Sequence, residues 1–428
     1  MSKELITSII LVITFISFIM EKIPLVVTAL AAMLAMYFTG ILSFNEAFSG
    51  FSNNVVLMLI GTQIIGAALT QNGLSQFVLR ALTRLFNGKH RLTEKQFILL
   101  SGLLIALLST VVNPTLMVLL FCNIVDELSQ KKEYGITRRN TYYPLAVASV
   151  AGCMFTSISA ASIIVTSGMM QESVIGRGLS FFEPMVMGIP FMLVYLFFFS
   201  TFGYKMEQKC FDFTETEVEI QKTHGETTEI IPWKMYTTFL VFAVCILFFI
   251  FSDFSIGAVA LAGAAVLIAA GCIDAKTAFA SVKWQTVVLL ASCLGFARGV
   301  DASGVSTIVA NGLLSLFGDF AKAPIGLCVI AMVTGSVISS FMNNASASTL
   351  IISLFLSTAQ TVGIPLVPVA IAAGIGTNLA CATPICATVF TMVSSVGYRF
   401  KDYLRIGVVI NLMAIAACAV GLYLVYFI

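Results

Sequence analysis

Charge is scarce in this sequence. Asp, Glu, Lys and Arg together make up 10% of its 428 residues, while 59% are hydrophobic and the mean hydropathy is +1.00. A soluble globular chain is about a quarter charged, so a water-soluble fold is excluded and the chain reads as a polytopic membrane protein. Histidine is scarcer still: there are two, His90 and His224, both in hydrophilic stretches where a solvated ring is expected. The ten cysteines form no Cys-x-x-Cys pair and mostly lie inside apolar runs, which makes them packing residues rather than metal or redox ligands. No crossing has an Asp, Glu, Lys or His at its centre, an argument against proton-driven exchange through a buried carboxylate. No span carries a nucleophile–base pair, so no enzymatic activity is expected. The net charge of +2 says little about partners, because the distribution matters more than the sum; the lipid bilayer and a small anionic solute are expected, with no nucleic-acid partner.

What is present instead is a series of apolar runs. LITSIILVITFISFIM (5–20), IPLVVTALAAMLAMYFTGIL (23–42) and YTTFLVFAVCILFFIFS (236–252) each approach the ~20 residues that a helix needs to cross about 30 Å of hydrocarbon. They do not alternate in polarity as membrane β-strands do. The first run has Lys3 balanced by Glu4 and no small-x-small site before Glu21-Lys22, so it is expected as a mature helix rather than a signal peptide. Hydropathy places crossings near 5–20, 23–42, 53–71, 143–167, 183–204, 236–252, 255–272, 284–301, 366–395 and 404–427.

Two further apolar regions, 97–124 and 324–357, have short arms around a polar centre, LLSTVVNPT in the first and SSFMNNASAS in the second. Arms of about 9 to 15 residues reach only about 14 to 22 Å, so both are expected as re-entrant helical hairpins. Segments 73–88 and 304–318 are expected as amphipathic arms on the two surfaces. With ten crossings and two hairpins, nineteen of the 23 lysines and arginines fall on one side. Only Lys3, Arg177 and Lys322 fall on the other, and Arg298 lies within the span ending near 301. The positive-inside rule then puts both termini outside. Arg298 is expected to pair with Asp301 at i, i+3.

Internal symmetry supports the same layout. An offset of 231 places 47–82 on 278–313 and Asn113 on Asn344, and an offset of 224 lays 144–165 on 368–389. Each half has five crossings, an odd number, so the halves must be inverted. The expected fold is therefore an all-α polytopic membrane protein of two inverted repeats, 5–204 and 236–428, joined by a charged cytoplasmic linker at 205–235 and comprising about ten transmembrane helices plus two re-entrant hairpins.

Polar residues at mid-depth concentrate in four stretches: LLSTVVNPT (107–115), FTSISAAS (155–162), SSFMNNASAS (339–348) and TNLACATPIC (377–386). Helix breaks expose N–H groups at N-termini and carbonyls at C-terminal ends. Such a site can hold an anion on the N–H groups and a cation on carbonyl, Asn and Ser oxygens without a full protein charge. All-oxygen ligation suits sodium.

At these residues the chain resembles the divalent anion:sodium symporter (DASS) family of the ion transporter superfamily. That family carries Ser-Asn-Thr at the tip of each hairpin; here Val112-Asn113-Pro114 and Asn343-Asn344-Ala345 stand there, with only Asn kept in both. Its Thr-Pro loop in each broken helix is matched by Ala382-Thr383-Pro384 and poorly by Ile158-Ser159-Ala160. The resemblance covers about residues 5 to 427, with one N-terminal helix fewer than the usual eleven crossings. It implies an elevator: a scaffold of about 5–71 and 236–301 with the surface arms, forming a homodimer, and a moving unit of the hairpins with 143–204 and 366–427. It also implies sodium near Ser109, Asn113, Ile158 and Ser159 in one half and near Ser339, Asn344 and Ala382 in the other. Substrate carboxylates would meet Asn113, Pro114, Thr115, Asn343, Asn344, Ala345, Ser346, Thr383 and Pro384. Sodium-coupled transport of a small anion, a C4 or C5 dicarboxylate, is the expected function. Anion exchange, or an arsenite, citrate or inorganic-anion permease, is the alternative that the altered motifs leave open; a channel fits paired hairpins less well.

Overall fold

The computed structural model describes residues 2–20, 22–74, 93–110, 112–130, 135–213, 231–252 and 254–428. Among the described residues the regular structure is helical, with no strand. A helix meets every backbone hydrogen bond within its own segment, which is what an apolar run requires in hydrocarbon. Lys3–Met20, Leu25–Phe38, Asn54–Leu69, Met185–Thr201, Pro232–Phe251, Ile256–Ala269, Trp284–Ala302 and Phe400–Tyr426 occupy eight of the expected crossings. The other two are broken: Arg138–Cys153 with Ala161–Glu172, and Leu366–Ile375 with Thr388–Val393. By length and composition four helices can cross a membrane, or up to six if each of two bent pairs is one span. Leu25–Phe38 and Ile256–Ala269, at 14 residues each, are about 21 Å long.

The hairpins are Glu94–Ser109 with Pro114–Gln130, and Pro324–Ser339 with Asn344–Val362. Their arms run 16, 17, 16 and 19 residues, longer than expected. The capping box of Thr93 and Gln96 starts the first arm ahead of its apolar stretch. In the last arm polar residues do not end the helix, because Ser353, Ser357 and Thr361 hydroxyls donate to carbonyls four residues back. The helix continues until Gly363, whose φ of 77° turns the chain left-handed. Asn344–Val362 is thus itself long and apolar enough to cross, and arm length alone no longer argues for re-entry.

Residues 75–92 and 214–230 lie outside the described residues; they hold most of the surface arm expected over 73–88, the middle of the linker and both histidines. The arm expected over 304–318 is a helix, Val305–Phe317. The described start of the linker lies on a short helix, Gly203–Cys210, bent 66° from the preceding span. Arg298 pairs with Glu172 at the end of the first broken helix, where Asn53 also donates to Glu172 at 2.6 Å. Sequence spacing alone pointed to Asp301; the pair with Glu172 joins positions 126 residues apart, which only the fold brings together.

Close approach of backbones sets the first hairpin against the first broken helix, and Phe400–Tyr426 against the second break. A Cβ on Gly152 would lie 2.2 Å from the Ala106 carbonyl oxygen of the first hairpin, and one on Gly407 would lie 2.3 Å from that of Cys381. Small residues at such crossings let helices pack where lipid supplies no hydrophobic drive. Tyr143, buried in the first broken helix, donates its hydroxyl to the Cys381 carbonyl at 2.9 Å and so ties the two broken helices together.

Candidate transport site

Each of the four polar stretches is a helix break. The two arms of the first hairpin are separated between Thr110 and Asn113 and those of the second over 340–343, with Thr110 and Ser340 as the C-caps of the two first arms. Asn113 accepts a hydrogen bond from the Thr115 N–H at 2.9 Å, and Asn343 accepts one from the Ala345 N–H at 3.0 Å. Both amides therefore satisfy an orphan donor in the first turn of the second arm. Asn113 repeats the role of Asn343, and every boundary of the two first arms is 230 positions apart. The structural register is one residue shorter than the offset of 231, and it places Pro114 opposite Asn344, Ser109 opposite Ser339 and Thr115 opposite Ala345. Proline is tolerated at this first helical position because the N–H it lacks has no intrahelical partner there.

The broken helices close over the tips in parallel ways. Thr383 donates to the Ser340 carbonyl at 2.6 Å, and Thr156 donates to the Thr110 carbonyl. The residue that repeats the contact of Thr383 is thus Thr156, while Ser159 turns back to the Cys153 and Thr156 carbonyls of its own break. In the second half the amides then link. Ser339 donates to Asn344 Oδ1, and Asn344 Nδ2 donates at 3.0 Å to Asn378 Oδ1. Ser162, in the first turn of Ala161–Glu172, donates to the same Asn378 oxygen at 2.8 Å. Ser348 meets Thr377 at 2.8 Å and the Gly374 carbonyl at 2.7 Å. Asn411 accepts from the Cys381 N–H at 2.9 Å, satisfying a donor that the second break leaves free. Every group in this network is neutral.

Three hydroxyls around the breaks, on Ser109, Ser157 and Ser346, are buried with no hydrogen-bond partner among the described residues. Ser109 is explained by the register: its counterpart Ser339 donates to Asn344, and Pro114 stands where that amide would be. Ser346 lies in the first turn of Asn344–Val362, where N–H groups and the helix dipole favour negative charge.

Residues 15–326, well over half of the chain, match the family model described as CitMHS, citrate transporter. The chain belongs to this family. Sodium-dependent dicarboxylate transporter SdcS of Staphylococcus saprophyticus is 21% identical over 441 residues, covering 95% of this chain and 83% of that protein. Uncharacterized transporter YfbS of Escherichia coli is 27% identical over 150 residues, 35% of this chain; the match spans 24%, about a quarter, of YfbS. The crystal structure of the Alcanivorax borkumensis YdaH transporter is similar in fold, with a TM-score of 0.59 at 14% identity over 89% of this chain and 87% of that one. The resemblance to divalent anion:sodium symporters read from the motifs is borne out, and this CitMHS chain is a multi-pass membrane transporter.

In the CitMHS chain the geometry brings Asn344, Ser339, Thr383 and Asn343 together at the second tip, and Asn113, Pro114 and Thr115 at the first. Asn378, Ser162, Thr377, Ser348 and Asn411 were not among the expected site residues. Asn378 and Thr377 lay inside a quoted polar stretch but outside its Thr-Pro motif. Asn411 was visible as a lone amide in the apolar helix Phe400–Tyr426, where a buried amide seeks a partner on another helix.

Proposed function

We propose that this protein is a sodium-coupled secondary active transporter that carries a small anion, a C4 or C5 dicarboxylate, across the cell membrane. The observation that carries the proposal is that each hairpin tip is tied by a threonine to a broken helix, and that a neutral network of Asn, Ser and Thr joins the second tip to both broken helices. A site of this kind suits an anion accompanied by its own cation, because the protein adds no full charge to either. The names of the family and of SdcS point the same way.

In this reading one substrate carboxylate meets the first turn of Asn344–Val362, at Asn343, Asn344, Ala345 and Ser346, with Thr383 and Pro384 beside it. The other meets Asn113, Pro114 and Thr115. Sodium is held by oxygens near Ser339, Asn344 and Ala382 in one half and near Ser109, Asn113, Ile158 and Ser159 in the other. The halves 5–204 and 236–428 are inverted repeats joined by the linker 205–235. The hairpins re-enter on the side from which they start and move with the broken helices against a homodimeric scaffold, with both termini outside.

Uptake into proteoliposomes with a panel of di- and tricarboxylates, sulfate and arsenite, with and without sodium, tests the proposal. Saturable dicarboxylate uptake that needs sodium is expected. Sodium-independent dicarboxylate exchange would overturn symport, preference for citrate or an inorganic anion would overturn the C4/C5 assignment, and unsaturable flux would indicate a channel.

A further inference from the structure

We infer that Asn378 is a positioning residue that dictates which face of the Asn344 amide is turned to the cation. This rests on the sodium reading of the same site. A primary amide presents an acceptor on one side and two donors on the other, and only its neighbours decide which way it points. Here the decision starts at a group that cannot flip. The Ile375 carbonyl accepts only, and Asn378 Nδ2 donates to it at 3.2 Å. Asn378 Oδ1 is thereby turned to the opposite side, where it receives Ser162 Oγ at 2.8 Å and Asn344 Nδ2 at 3.0 Å. Two donors saturate its two lone pairs. Asn344 must therefore show its nitrogen to Asn378 and its oxygen to Ser339, the residue that donates to it.

The order backbone carbonyl, Asn378, Asn344, Ser339 leaves each amide a single orientation. It points the Asn344 oxygen away from Asn378 as a ready cation ligand, since Ser339 can turn its own hydroxyl proton elsewhere when a cation arrives. Ser162 belongs to the first broken helix, so the orientation of the second-half ligand also depends on the first half being docked. Asn378 is buried at 2% exposure, and without it a reversed Asn344 amide would offer the cation its N–H₂ face.

The test is sodium dependence of uptake in proteoliposomes for Asn378→Ala and for the near-isosteric Asn378→Leu, which guards against a cavity that prevents folding. Each is expected to raise the half-saturating sodium concentration about 10-fold, equivalent to about 1.4 kcal/mol, with substrate KM at saturating sodium changed by less than about 2-fold. Asn344→Asp supplies the decisive rescue. A carboxylate offers oxygen whichever way it turns, but in the parent protein one oxygen would face Asn378 Oδ1, acceptor against acceptor. Asn344→Asp alone should therefore weaken sodium dependence, and Asn344→Asp with Asn378→Ala should return half-saturation to within about 3-fold of the parent. A double variant no better than Asn378→Ala overturns the inference, as does a loss of maximal rate with half-saturating sodium unchanged, which marks a packing residue. If parent uptake ignores sodium, the sodium reading falls first and the positioning role falls with it.

Discussion

The two hairpin tips share a backbone and differ in what their side chains are free to do. In both, a 16-residue arm ends at a Ser or Thr whose carbonyl is held by a threonine of the facing broken helix. In both, an asparagine then caps the next arm. The next position separates them: Asn344 links Ser339 to Asn378, whereas Pro114 links nothing and leaves the Ser109 hydroxyl buried without a partner among the described residues. Two hairpins can therefore share one tip backbone while only the second carries an amide at this position that bridges to the facing broken helix. The first tip keeps carbonyl and hydroxyl oxygens together with a capping amide.

The largest expected effect follows from removing what the second tip has and the first lacks. Asn344→Ala should lower initial uptake by more than about 100-fold, because it deletes the proposed cation ligand and strands Ser339, while Asn378 keeps Ser162 and the Ile375 carbonyl; a buried polar group left unpaired costs about 1–3 kcal/mol. Uptake measured on protein that elutes as a single folded species checks this. Normal transport would reduce the amide network to packing.

The converse change should stabilise. Pro114→Asn gives Ser109 the partner that Ser339 has, at a helix position that accepts Asn. Pairing one buried hydroxyl contributes about 1 kcal/mol, a rise of about 1–3 °C in the unfolding midpoint of purified protein. A fall in the midpoint would mean that the Ser109 hydroxyl sits in a different register from Ser339.

Much of this was legible before any fold was known. Clusters of Asn, Ser, Thr and Pro interrupting apolar runs marked all four breaks, because such groups have no business in hydrocarbon unless backbone or ligand needs them. The register was not legible. At low identity a shift of one residue cannot be told from the letters, and Asn344 is the more natural match to Asn113 until the caps show that Asn343 does its work. Arm lengths are not legible either, because serine and threonine can hide their hydroxyls on their own helix. The role of Asn378 carries no such mark in the sequence, because its importance lies in two partners, Ser162 and Asn344, 216 and 34 positions away.

The threonine ties give a smaller, symmetric effect. Thr156→Val and Thr383→Val keep the shape of the side chain and delete the hydrogen bond to the Thr110 or Ser340 carbonyl. Each should cost about 1–1.5 kcal/mol in stability, the ordinary net value of one such bond, and chemical-denaturation or thermal midpoints read it. Equal losses support the pairing of Thr156 with Thr383; if Ser159→Ala matches Thr383→Val and Thr156→Val does not, Ser159 is the true counterpart.

The smallest effect is the most diagnostic of register. Asn113→Ala and Asn343→Ala each remove a helix cap that accepts one first-turn N–H, a loss of about 1 kcal/mol. If the tips align at an offset of 230, the two variants should behave alike, with similar drops in midpoint and in uptake. Asn113→Ala should then look unlike Asn344→Ala, since the Asn113 side-chain oxygen is engaged by the Thr115 N–H and its backbone carbonyl by the Leu116 and Met117 N–H groups. At an offset of 231 the outcome reverses: Asn113→Ala would abolish uptake as Asn344→Ala does, and Asn343→Ala would stand alone as the mild change. Side-by-side uptake of the three variants separates the two alignments without knowledge of the substrate's pose, because only the ranking of the three matters.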